Sequence, residues 1–159
     1  MSEYYFGLAE IEDMFEILEF YNDLVDTPGC AWTLEYPNSE IIETDILAKS
    51  LFVLKENTTI ISVAFAGREE ELERFTWQSK KPCDMARIGV IRSKQSQGIG
   101  TIMLNKVIRE VHEYGFDGIR ILVSKTNPSA LALYDKNGFI RLDEVNMHSI
   151  DFYRYERLL

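Results

Sequence analysis

Cysteine is scarce in this chain: Cys30 and Cys83 stand alone among 159 residues, with no C-x-x-C pair and no histidine cluster beside them. That pattern excludes a disulfide framework and a thiolate zinc site, so both thiols are expected to be reduced. Histidine is as rare. His112 and His148 sit in polar surroundings and read as surface residues, and no metal site is expected. Prolines number 4, and Gly/Ser-rich or low-complexity tracts are missing. No linker therefore interrupts the chain, and one domain over 1–159 is expected. No apolar run approaches the ~20 residues of a membrane helix. The polar start at Ser2-Glu3 lacks the basic and apolar regions of a secretory leader, so a cytoplasmic protein with no membrane partner is expected. Without export, Asn57-Thr58-Thr59 reads as a hairpin turn and not as a glycosylation acceptor. Positive charge is also short, with Lys+Arg 17 against Asp+Glu 26 and a net charge of −9. Nucleic acid calls for a basic face, so no nucleic-acid partner is expected.

What is present is an ordinary globular balance, 46% hydrophobic and 27% charged, in patterns that alternate between sheet and helix. Residues 3–8 read as a first strand. Ile11, Met14, Phe15, Leu18, Tyr21 and Val25 recur at helical spacing, with acidic residues between them. A second, short helix over 40–49 is capped by Asn38 or Ser39. Leu51–Leu54 and Ile60–Phe65 form a β-hairpin, and the charged run 68–74 reads as a solvated connection. Met85–Ile91 is an apolar strand; Leu104, Val107, Ile108 and Val111 make the buried stripe of a third helix. Gly118–Val123 is another strand, and a fourth helix starts at Asn127-Pro128 and stops at Gly138. Phe139–Asp143 and Phe152–Arg157 are two closing strands.

Between the strand at 85–91 and the third helix lies Gln95-Ser96-Gln97-Gly98-Ile99-Gly100. Strand, glycine turn and helix start together make an anion cradle, because the first N–H groups of a helix lack partners and the helix dipole adds positive charge. A side chain at either glycine would hold phosphate oxygens away from those N–H groups. The Walker A pattern fails here for want of a closing Lys-Ser/Thr, and the dinucleotide fingerprint fails because Met103 stands where its third glycine belongs. Downstream comes Asn127-Pro128-Ser129-Ala130-Leu131-Ala132-Leu133-Tyr134-Asp135-Lys136-Asn137-Gly138-Phe139.

The two stretches, in this order, resemble motifs A (Q-x-x-G-x-G) and B (N-x-x-A-x-x-L-Y-x-K-x-G-F) of the GCN5-related N-acetyltransferases, the GNAT family. The resemblance implies an α/β (α+β) GNAT fold, a mixed central sheet of six to seven strands flanked by about four helices and splayed at the central strand. It implies acetyl-CoA as acyl donor, with no metal, and transfer of its acetyl group to a primary amine by direct attack in a ternary complex. The acceptor would be a small amine, a peptide N-terminus or a lysine. In relatives the splayed strand pairs with the pantetheine amides, which assigns that role to Ile88, Gly89 and Val90. Gln97, Gly98, Ile99, Gly100 and Thr101 would receive the pyrophosphate, with Gln95 fixing the loop and Ser96 standing where many relatives have glycine. Arg92 stands where many have proline. Asn127 would bond the pantetheine arm or simply cap its helix. Tyr134 is the implied acid that protonates the departing sulfur, and Asp84 the base that takes the proton of the amine; Glu35 and Glu73 are weaker bases. Cys30, Trp32 and Tyr36 are implied walls of the acceptor pocket. Two other readings stay open: a GNAT-fold sensor that holds coenzyme A without turnover, and a nucleotide-binding α/β protein of another family. The protein is expected to be a monomer or homodimer.

Overall fold

The computed structural model describes residues 3–159; Ser2, read above as part of a polar start, lies outside the described residues. One seven-stranded sheet runs through the molecule in the order β1-β2-β3-β4-β5-β7-β6. Its strands are β1 (Tyr4–Leu8), β2 (Leu51–Glu56), β3 (Thr59–Gly67), β4 (Pro82–Val90), β5 (Gly118–Ser124), β6 (Ile140–Met147) and β7 (Ile150–Leu158). Neighbours are antiparallel except β4 and β5, which run parallel. Helices α1 (Met14–Leu24), α2 (Ser39–Leu47), α3 (Ile99–Glu113) and α4 (Pro128–Lys136) flank it. This is the GNAT architecture that the motifs implied.

Two cores, one on each face, explain why Leu51–Leu54 of β2 and residues 60–66 of β3 are buried at consecutive positions instead of alternating. On one face Met103, Leu104, Val107, Ile108 and Val111 of α3 pack with Cys83, Met85, Ile119, Ile121 and Tyr134. Met103 occupies the place of the absent third glycine because that position points into the sheet, at 0% exposure. On the other face Ile17, Phe20, Tyr21 and Leu24 of α1 and Ile42 and Ile46 of α2 cover Leu51, Val53, Ile60, Val63 and Phe65. Asn38 caps α2, its Oδ1 accepting from the Ile41 N–H at 2.9 Å.

The sheet opens in the middle. Strands β4 and β5 pair only at Pro82↔Gly118, Cys83↔Ile119 and Asp84↔Arg120. Beyond those pairs they part. The cause lies on the other side of β4, where Val63–Phe65 of β3 spans the same length as Ala86–Gly89 of β4, which holds one residue more. Such a bulge bends its strand and sharpens the twist. Arg87 sits in it with φ +52, left-handed backbone that costs a residue with a Cβ about 1–2 kcal/mol. Its side chain offsets that cost, as described below.

One connection differs from the expectation drawn from its charge. The charged run 68–74 is not a freely solvated link: Glu70–Arg74 forms a 3-10 turn with Leu72 buried, and Glu69 and Glu73 both pair with arginines of the sheet.

Candidate active site

The gap between β4 and β5 is a cleft of about 700 Å³, within the usual range for a small-molecule site. One wall is Arg87–Val90 of β4, the other is Ile121–Ser124 of β5 with α4, and the glycine turn closes one end. The roof is the loop after α1, from Thr27 to Trp32. A Cβ added to Gly29 would meet the Thr126 carbonyl at 2.5 Å, and one added to Gly89 would meet Trp32 Cη2 at 3.1 Å. The roof therefore rests on both walls, and these two glycines permit that contact.

At the closed end, the structure brings most of the expected residues together. Gln95 Nε2 donates to the Val90 carbonyl at 3.0 Å, tying the turn back to the strand it leaves. Ser96 takes φ +62 and Gly98 φ +83, which explains why glycine suits position 96 in relatives. Arg92 fastens the turn to α1 by donating to the Asp23 carbonyl at 2.8 and 2.6 Å. The first helical bond of α3 is from the Ile102 N–H to the Gly98 carbonyl, at 3.1 Å. Among the described residues, nothing accepts from the N–H groups of Gln97, Gly98, Ile99, Gly100 and Thr101. A Cβ at Gly98 would have nothing within 4 Å, and one at Gly100 would reach only Leu133 and Val90 at ordinary contact distance. The fold itself leaves this space open. Gln97 turns away from the cleft, its Nε2 donating to the Ser93 carbonyl at 3.1 Å, so it contributes main chain alone.

Charge separates the cleft from the rest of the molecule. The chain's net charge is −9, yet the lining includes Arg87, Lys94 and Lys136 and no Asp or Glu. Lys94 is paired with Glu56 at 2.8 Å. Such a lining favours an anionic ligand. Lys94 carries no pattern of its own on a polar turn, and Lys136, although it is the lysine of the second motif, gives no sign in the sequence that it lines the cleft.

Tyr134 lines the same cleft from α4, at 1% exposure. Its ring packs edge-on against Phe139, centroids 5.1 Å apart. Its hydroxyl is buried without a hydrogen-bond partner, and burial pushes the phenol well above its usual value. Unsatisfied buried donors cost about 1–3 kcal/mol and are uncommon. Asn127 caps α4 through Oδ1, which accepts from the Ala130 N–H at 3.2 Å, and its Nδ2 donates to nothing among the described residues. It also lines the cleft, so cap and ligand contact are compatible.

At the other end, Arg87 gathers the α1–α2 side. Its guanidinium donates to Tyr36 Oη at 2.8 Å, to Asp45 Oδ2 at 2.9 Å and to Glu69 Oε1 at 3.3 Å. It also stacks over Phe65, and its carbonyl accepts from Tyr21 Oη at 2.8 Å. These charge-assisted bonds hold the bulge in its left-handed turn. Trp32 and Cys30 do line the cleft; Tyr36 does not, and meets it only through Arg87.

Asp84 is where expectation and structure part. It is 1% exposed, locked to Arg120 by bonds of 2.5 and 2.9 Å, and also accepts from the Glu69 N–H at 2.7 Å. It sits at the last paired position of β4, outside the cleft lining. A carboxylate so buried, with three hydrogen bonds on its two oxygens, holds the strands together and is shut off from a substrate in the cleft. Glu73 pairs with the same Arg120 at 3.1 Å, and Glu35 lies exposed in the loop after Trp32.

Comparison with known proteins agrees with this geometry. A family model described as the Acetyltransferase (GNAT) family matches residues 11–139. No curated protein matches the sequence. Among solved structures, an N-acetyltransferase from Staphylococcus aureus Mu50 is 20% identical, with 98% of each chain covered and a TM-score of 0.79. YncA, a putative acetyltransferase from Salmonella typhimurium solved with its cofactor acetyl-CoA, is 18% identical over 99% of this chain and 95% of its own, TM-score 0.79. The PaiA N-acetyltransferase from Thermoplasma acidophilum, in complex with coenzyme A, is 16% identical over 99% of each chain, TM-score 0.79. At such identities the structures speak to fold alone. The family match spans the bulged strand, the glycine turn and the helix that carries Tyr134, so the chain belongs to the GNAT acetyltransferase family.

Proposed function

We propose that this protein is an N-acetyltransferase that moves an acetyl group from acetyl-CoA to a primary amine, by direct attack within a ternary complex. The observation that carries the reading is the Tyr134 hydroxyl, buried and unpartnered beside a cleft whose far end is a set of free N–H groups. Acetyl-CoA, when bound, supplies an acyl group already activated as a thioester. The chain's own residues then have modest tasks. The N–H groups of Gln97, Gly98, Ile99, Gly100 and Thr101 receive the diphosphate at the positive end of α3, with Lys94 and Lys136 adding charge. The edge of β4 from Ile88 to Val90, which β5 leaves unpaired, meets the amides of the pantetheine arm, and Asn127 Nδ2 is a further donor. Tyr134 donates to the sulfur as it departs. The acceptor, whether a small amine, a peptide N-terminus or a lysine, enters from the side of Trp32 and Tyr36. Holding amine and thioester together supplies several kcal/mol of the barrier. A cytoplasmic setting and a monomeric or dimeric state belong to the same reading.

Release of free coenzyme A with a panel of primary amines tests it; turnover with at least one amine is expected. Coenzyme A binding without release for any amine would leave a sensor instead. The cradle has its own test. Gly100→Leu puts a side chain into space that the fold does not need, so thermal stability should change little. Coenzyme A affinity, followed by calorimetry, should fall by roughly tenfold or more, about 1.4 kcal/mol.

A further inference from the structure

The structure leaves the amine without the base that sequence position suggested, since Asp84 is buried against Arg120. The groups around Arg87 supply another. Of the β4 residues that line the cleft, Val90 is nearest the glycine turn and Arg87 farthest from it, about 10 Å along the strand. Arg87 therefore marks the reacting end, and two carboxylates share its single positive charge. They are not equivalent. Asp45 is 14% exposed and bonded at 2.9 Å, whereas Glu69 is 32% exposed and bonded at 3.3 Å. Only Oε1 of Glu69 is engaged; Oε2 accepts no hydrogen bond among the described residues.

Glu69 is also held from behind. Its N–H donates to Asp84 Oδ2 at 2.7 Å, and Asp84 is fixed by Arg120. The carboxylate that the sequence placed in the base's role thus anchors the main chain of a different carboxylate, which is 32% exposed where Asp84 is 1% and which, like Asp84, is not itself in the cleft lining but meets it through Arg87. The groups facing Glu69 are Arg87 and Asp84 of β4 and Asp45 of α2.

We propose that Glu69 is the proton acceptor for the incoming amine. This rests on the acyl-transfer reading above. The acceptor arrives as an alkylammonium ion, drawn by the carboxylate that Arg87 leaves uncompensated. One N–H bond of the ammonium breaks, its proton passes through a single solvent molecule to Oε2 of Glu69, and the electron pair stays on nitrogen. The neutral amine then forms the C–N bond as the C–S bond breaks. Tyr134 protonates the sulfur and is reprotonated by the second proton that nitrogen sheds; Glu69 returns its proton to solvent. Burial raises Glu69 above the usual glutamate value, with Arg87 opposing, which brings its proton affinity closer to working pH.

The test is kcat/KM against pH, read as coenzyme A release with the best amine among a diamine, lysine and an alanyl peptide. Glu69→Gln keeps an oxygen for Arg87 but cannot take a proton. It should lower kcat/KM about 10²-fold below the pKa of the amine, the deficit closing as pH approaches that pKa and free amine accumulates. Coenzyme A affinity should stay within twofold. Glu69→Asp should keep the wild-type acid limb at a lower rate. A Glu69→Gln profile that matches the wild type, or that is lower by one factor at every pH, would overturn the inference while leaving acyl transfer standing. A wild-type protein that releases no coenzyme A with any amine overturns the acyl-transfer reading itself, and the role of Glu69 with it.

Discussion

Tyr134→Phe is expected to lower kcat about 10³-fold while leaving the dissociation constant of coenzyme A unchanged and the protein at least as stable as before. The three parts of this result come from one atom. The Tyr134 hydroxyl has no partner in the folded protein, so its removal breaks no bond and relieves a penalty of about 1–3 kcal/mol. The ring stays, and with it the packing against Phe139 and Tyr155. Thermal midpoint should therefore hold or rise by a few degrees, at about 2–4 °C per kcal/mol for a chain of this size. On the proposed acyl-transfer reading turnover suffers, because the hydroxyl would meet its partner only when negative charge gathers on sulfur, in a cleft wall with little water to substitute for it. Proton donors of this kind contribute about 10²- to 10⁴-fold. Burial holds the phenol above its usual value, so it remains protonated throughout the neutral range. The sign is clear: a group with a raised pKa loses its proton only at higher pH, so Tyr134 imposes no alkaline fall in kcat below about pH 10. Stopped assays of thiol release, calorimetry and a melting curve read the three parts separately. Full activity in the variant would remove Tyr134 from the reaction.

The glycine turn and the helix of Tyr134 were legible in the sequence because both are local. A turn that needs left-handed backbone selects glycine, and a helix cap selects Asn127 followed by Pro128. The stripe of α3 was legible for the same reason, one helix period at a time. Arg87 was invisible. Its bulge depends on β3, and its partners Tyr36, Asp45 and Glu69 lie 51, 42 and 18 positions away. Arg120 and Asp84 are 36 apart and read separately as one charge in a strand and one before it. The acidic stretch after Gly67 misled for a related reason. Charge runs are solvated by default, and nothing nearby discloses that two buried arginines stand opposite. The electrostatics of the cleft were hidden too, since a net charge of −9 says nothing of how charge is distributed. Local geometry thus disclosed the glycine-turn end of the cleft, and tertiary pairing concealed the Arg87 end.

Asp84→Asn separates the role of base from that of strand anchor, because only the second predicts a loss of stability. A base is spared by the fold: its loss would abolish turnover and leave the melting curve in place. A strand anchor behaves otherwise. Asp84 and Arg120 are 1% and 4% exposed at the side chain, with both carboxylate oxygens engaged. Replacing the carboxylate with an amide leaves the guanidinium buried with only exposed Glu73 as counter-charge. One oxygen site becomes an NH₂ that faces other donors, either Arg120 or the Glu69 N–H. Removing one partner of a buried pair costs about 3–5 kcal/mol, so the melting temperature should drop by roughly 10 °C. Arg120→Met should be equally destabilising, since it strands Asp84. Paired replacement, Asp84→Leu with Arg120→Met, should recover much of the loss, because two apolar side chains where β4 and β5 still pair leave no charge to solvate. The melting temperatures of the two single variants and the double variant form the decisive cycle. Singles that melt like the wild type would show that the pair does not hold β4 to β5 where they meet.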